Sequence, residues 1–112
     1  MKIVKDTITR EELRRLASEG FGNMVKAAVD LDKELLAVDA ELHSDLEALL
    51  LDAGSRQKDL WGINLYPDLQ GEEFIEFDSM INVRPSQGNH TRGVHDAGTR
   101  KRIAGVVAKR VP

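Results

Sequence analysis

Two neighbouring runs of alternation constrain this chain more than anything else in it. From Met24 to Leu31, Val25, Ala27, Val29 and Leu31 fall on one face, with Lys26 and Asp30 on the other. From Leu36 to Leu42, Leu36, Val38, Ala40 and Leu42 alternate with Ala37, Asp39 and Glu41. A period of two residues belongs to a half-buried strand, and the short polar turn at Asp32-Lys33 makes the pair an antiparallel hairpin.

Further strands extend the same sheet. In Leu60–Tyr66, Trp61, Ile63 and Leu65 oppose Gly62, Asn64 and Tyr66, and Pro67 ends the run because it cannot donate to a ladder. Phe74–Arg84 reads as the best strand of all. Its core row is Ile75, Phe77, Ile81 and Val83; Glu76, Asp78, Met80, Asn82 and Arg84 point the other way. Met1–Ile8 is short enough for an edge.

Helices stand at both ends. Thr9-x-x-Glu12 is a capping box, Ile8 and Leu13 are spaced as a hydrophobic staple, Leu13, Leu16 and Ala17 form a stripe, and Gly20 supplies the stop. Near the C-terminus, Asp96 caps a helix with Ile103, Val106 and Val107 inward, and Lys109 and Arg110 suit the negative end of its dipole. Ser44–Gly54 fits two readings. Ser44-x-x-Glu47 opens a helix with Leu46, Leu49, Leu50 and Ala53 on one face, or Leu46–Asp52 is a buried strand. The balance tips to strand, since Leu60–Tyr66 wants an antiparallel neighbour. The expected fold is α+β: one domain over residues 1–112, an antiparallel sheet of four or five strands, and an N-terminal and a C-terminal helix.

The composition excludes several classes of function. Without cysteine there are no disulfides, zinc–cysteine sites or thiol catalysis. No apolar run approaches the roughly 20 residues needed to span a bilayer, and MKIVKDTITREEL lacks a signal-peptide core, so a cytoplasmic protein without membrane contact is expected. The net charge of −3 is unevenly spread. From Arg84 to Pro112, seven Arg or Lys against Asp96 give +6, which leaves −9 for the remainder. Such asymmetry suits an anionic partner, or the two ends lie together and neutralise each other. Nucleic acid is a weaker expectation: a lone Trp and Tyr are a poor stacking platform.

Three constellations could carry chemistry. The first is the outward row of Phe74–Arg84 with Asn64 and Tyr66 beside it, where Asp78, Asn82 and Arg84 would meet a polar ligand; the bland alternative is a solvated sheet face. The second is the loop Arg84-Pro85-Ser86-Gln87-Gly88-Asn89-His90-Thr91-Arg92. Gly88 and Asn89 tolerate left-handed backbone, while Arg84, Ser86, Gln87 and Arg92 offer donors to phosphate or carboxylate, without the spacing of a P-loop or dinucleotide fingerprint. The third is Glu41, His43, Asp45 and Glu47, from which His43 and Asp45 could ligate a divalent metal, against the plainer reading of an acidic surface.

Three longer stretches, ELHSD at Glu41–Asp45, GSRQKDLWGINLYP at Gly54–Pro67 and EFDSMINVRPSQGN at Glu76–Asn89, are followed by an arginine at Arg92. Together they resemble a small family of uncharacterised prokaryotic proteins classed as a domain of unknown function. The likeness runs from the N-terminal helix to the C-terminal one and implies no activity, cofactor or catalytic residue. Two positions depart from the pattern: Asp39-Ala40 stands where Gly-Gly is expected before ELH, and His90 where an arginine is expected after QGN.

Two functions follow as expectations. One is a binding or interaction module whose polar strand face and Arg84–Arg92 loop take an anionic small molecule or an acidic protein surface. The other is a small hydrolase, with or without a metal, using Asp78, Glu76 and His43 or Asp45. Two short helices would leave part of the sheet uncovered, so an isologous homodimer through that face or an edge strand is expected as well.

Overall fold

A computed structural model describes all of residues 1–112. The five strands are β1 (Lys2–Val4), β2 (Val25–Asp30), β3 (Leu35–Val38), β4 (Leu60–Leu65) and β5 (Ile75–Glu76), with helices α1 (Arg10–Glu19), α2 (His43–Asp52) and α3 (Ala97–Arg110). The sheet runs β1-β3-β2-β4-β5 and every pairing is antiparallel. The alternating hairpin is β2–β3, with Ala27 opposite Val38 and Val29 opposite Leu36. Its turn is held by Asp30, whose Oδ1 accepts from the backbone N–H groups of Asp32 (2.9 Å) and Lys33 (3.0 Å).

The apolar row of each strand meets α1 and α3. Val25, Ala27, Val29, Leu36, Val38, Trp61, Ile63 and Leu65 form one buried cluster with Leu13 and Ala17 of α1 and Ile103, Val106 and Val107 of α3. Thr9 caps α1 by accepting from the Glu12 N–H at 3.0 Å; the Glu12 carboxylate, however, turns to Lys2 at 2.8 Å and leaves the reciprocal half of the capping box unmade. Asp96 caps α3 through the Thr99 N–H.

The segment that fitted two readings is a helix, α2, and the preference for a strand is overturned. Leu46 and Leu50, one helical turn apart, close a second cluster with Ala28, Ala37 and Leu60 on the far side of the sheet. Spacings of three and four residues won because the sheet already had its neighbours; what it lacked was cover. Helix α2 therefore occupies the face that was expected to be free, and every residue of β4 is buried. No helix is long and apolar enough to cross a membrane.

The long strand read at Phe74–Arg84 is a second correction. Only Ile75–Glu76 pairs with β4, after which the chain leaves the sheet through 3₁₀ turns at Met80–Asn82 and Pro85–Gln87. Ile75 and Phe77 pack on the core and Glu76 and Met80 stay outward as expected, but from Asn82 onward the rows change places: Val83 is 38% exposed, and Asn82 and Arg84 are buried. The cause lies at Gly62. The Asn82 side-chain amide accepts from the Gly62 N–H at 2.8 Å and donates to the Gly62 carbonyl at 2.9 Å, so one side chain satisfies the edge of β4 that a continued strand would have paired. A Cβ at Gly62 would stand 2.5 Å from Ser79, so only glycine admits the segment this close.

Candidate functional site

The segment from Ser79 to Gly93 is rigid because its polar side chains hold backbone groups. Asn89 Nδ2 donates to the carbonyls of Asn82 (2.7 Å) and Gly93 (2.8 Å), while its Oδ1 accepts from the His95 N–H at 2.9 Å. The buried Arg84 guanidinium donates to the carbonyls of Ile81 (2.9 Å), Gln57 (2.9 Å) and Leu60, and lies 4.7 Å from the centroid of the Trp61 ring. Burial pulls its pKa below the ordinary arginine value, against the raising influence of the Glu47 carboxylate. Gly88 takes the left-handed conformation expected of it, φ 77°, and lets Asn89 turn back to pair with Arg84.

The sequence-predicted site residues therefore divide. Asn82, Arg84 and Asn89 are buried and tied to main chain. Ser86 and Gln87 are exposed, and Gln87 donates to the Lys58 carbonyl, on the Arg84 side of the segment. Asn64, Asp78 and Arg92 do converge. Asn64 Nδ2 donates to Glu76 Oε1 (2.8 Å) and weakly to the Asp78 carbonyl (3.4 Å); its Oδ1, on the other limb of the amide, is buried without a partner. Arg92 Nε donates to Asp78 Oδ1 at 2.6 Å, a bond that holds the Asp78 carboxyl below the usual carboxylate range. Tyr66 donates to Glu76 at 3.0 Å, and its own pKa is raised by burial first and by that carboxylate second.

Beside this group a cleft of about 260 Å³ opens between the start of α2 and the Ser79–Arg92 segment. Lys26, His43, Ser44, Ser79 and Arg92 give it a polar lining, and Leu42, Met80 and Ile81 an apolar rim. Lys26 comes from β2, in register with Asn64 of β4. It makes no ion pair with any carboxylate; its ammonium sits 5.0 Å from the Phe21 ring centroid. The N-cap of α2 is Leu42, which has no side chain able to cap, and Ser44 falls inside the first turn rather than before it. The reason is His43: its Nε2 lies 2.8 Å from the Ile63 carbonyl oxygen, and this anchor starts the helix two residues earlier than the capping pattern implied. His43 is 8% exposed. Burial above all holds its pKa below the ordinary histidine value; Lys26 and Arg92 push the same way, while the Ile63 bond and Asp78 oppose.

His43 and Asp45 lie in the first turn of α2, but His43 faces the sheet and Asp45 is exposed. No group of three His, Asp or Glu side chains is close enough to hold a metal ion. Sequence reasoning missed Lys26, Ser44 and Ser79 as lining. The signal for Lys26 was present, since it is a cation on the polar row of a strand whose neighbours on that row are buried.

A family model described as a protein of unknown function, DUF5674, matches residues 2–110. No curated protein and no solved structure matches the chain.

Proposed function

The chain belongs to the family DUF5674, whose description assigns no activity, and from the geometry of the cleft we propose that it is a binding module for a small anionic ligand. The observation that carries the reading is the meeting of Lys26, free of any carboxylate, with the Arg92 guanidinium and the uncapped start of α2 on one cleft. Unpaired N–H groups and the positive end of the helix dipole favour negative charge, and a flanking ammonium adds to them. The Asp78 ion pair neutralises part of Arg92 and also fixes it, leaving its outer nitrogens for a ligand. Ser44 supplies a hydroxyl, and the apolar rim accommodates a ligand body less polar than its head. Arg84 has no part in this, because its donors are turned to main-chain carbonyls.

A thermal-shift series with phosphate, sulfate and small carboxylates tests the reading. A ligand at 100 times its dissociation constant stabilises by about 2.7 kcal/mol, which in a domain of this size raises the melting temperature by roughly 10 °C. At least one of these anions is expected to stabilise the protein and to lose its effect in Lys26→Ala. No shift with any anion, or a shift untouched by that substitution, overturns it.

A further inference from the structure

The cleft offers more than positive charge. The Ile63 carbonyl oxygen, 2.8 Å from His43 Nε2, can only accept, so Nε2 carries the ring proton. In the neutral imidazole Nδ1 then presents a lone pair. No protein group hydrogen-bonds to Nδ1, and His43, otherwise covered, is part of the cleft lining together with Lys26 and Arg92. Burial keeps the ring neutral at physiological pH. The polar lining thus combines cationic donors with an unpaired acceptor.

Few anions satisfy both. Sulfate and carboxylates bring only acceptor oxygens, and would set a lone pair against that of Nδ1. An oxyanion that keeps a proton of its own answers the whole lining: its charged oxygens meet Lys26, Arg92 and the first-turn N–H groups of α2, while its O–H donates to Nδ1. Resting on the anion-binding reading above, we propose that the cleft selects protonated oxyanions of the hydrogenphosphate type, with His43 Nδ1 as the acceptor that reads the P–O–H group. A buried acceptor left facing a ligand without a donor is where discrimination of this kind arises.

Titration calorimetry of the full chain with inorganic phosphate and with sulfate, at equal ionic strength and about pH 7.5, tests this, because the two ions then carry nearly equal charge and differ in the proton. Phosphate is expected to bind about tenfold tighter or better, a difference of about 1.4 kcal/mol. In His43→Gln the amide nitrogen reaches the place of Nε2 and keeps the bond to Ile63 while the Nδ1 acceptor is gone; the two ions should then bind within about threefold of each other. Equal affinities in the unsubstituted protein overturn the selection by His43 and leave the anion site standing. A preference that persists in His43→Gln removes His43 as its origin. Binding of neither ion overturns the anion site and the selectivity together. Should the variant fail to fold, the phosphate-to-sulfate ratio of the unsubstituted protein decides alone.

Discussion

Replacing Asn82 by alanine should unfold this protein more readily than most core truncations of similar size. The side chain is fully buried and makes three hydrogen bonds: from the Gly62 N–H (2.8 Å), to the Gly62 carbonyl (2.9 Å) and to the Arg92 carbonyl (3.0 Å). Alanine leaves both Gly62 groups orphaned inside a strand that is buried throughout. Each such group costs about 1–3 kcal/mol, whereas the Arg92 carbonyl keeps its bond from the Ser79 N–H (2.9 Å) and adds little. The loss should therefore be about 3–4 kcal/mol, or about 2 if a water enters the space left by the amide. In a chain of this length that lowers the melting temperature by roughly 10–15 °C. Urea denaturation followed by circular dichroism measures it.

Asn82→Asp is the sharper control. It keeps the acceptor for the Gly62 N–H and sets a carboxylate oxygen against two carbonyls. At neutral pH it should destabilise more than alanine, and it should regain stability on acidification as the introduced carboxyl gains a proton to donate. A loss in Asn82→Ala below about 0.5 kcal/mol, the range of ordinary surface changes, would refute the claim that this amide replaces a strand.

Three further outcomes are expected. Gly62→Ala should cost about 1–3 kcal/mol or more through the 2.5 Å clash with Ser79, and Ser79→Gly in the same chain should recover part of it; calorimetric melting of the single and double variants measures both. Arg84→Ala orphans the carbonyls of Leu60 and Ile81, leaves that of Gln57 with the Leu60 N–H alone, and should cost about 3 kcal/mol by urea denaturation; Arg84→Lys should rescue little because a point cation cannot reproduce the planar fork. His43 has a folded-state pKa below its ordinary value, so the unfolded chain takes up its proton first as pH falls. The contribution of the neutral ring is complete above about pH 6.5 and is lost as pH drops from there through the folded pKa; that part of the pH–stability curve should flatten in His43→Gln.

Much of the scaffold was legible because its signals were local and periodic. Alternation gave β2, β3 and β4, and caps and stripes gave α1 and α3. Helix α2 was ambiguous since Leu46, Leu49 and Leu50 serve a buried strand as well as a helix, and only the need to cover Ala28, Ala37 and Leu60 distinguishes them. The segment after Glu76 misled for a different reason. Its alternation of Phe77, Ile81 and Val83 with polar residues is genuine, but the amides of Asn82 and Asn89 pair with main chain as a strand would, and nothing in a residue's type announces that it will replace a backbone. The same substitution hid the site. Asn64 and Asp78 were picked out on the strand face and Arg92 in the loop, whereas Arg84, common to both groups and the most prominent cation of the motif, turned inward onto Trp61. Lys26 and Ser44 went unnoticed because they enter from β2 and α2, far away in sequence from the loop they face.

The central claim is that an anion sits where the start of α2 meets the Ser79–Arg92 segment. Backbone amide chemical shifts, followed in a titration of the isotopically labelled chain with inorganic phosphate, test it most directly. The expected result is a saturable shift centred on His43, Ser44 and Arg92, with Lys26 moving in parallel and Arg100 and Lys101 of α3 unmoved. Shifts confined to the basic face of α3, or a linear drift without saturation at every position, would contradict it.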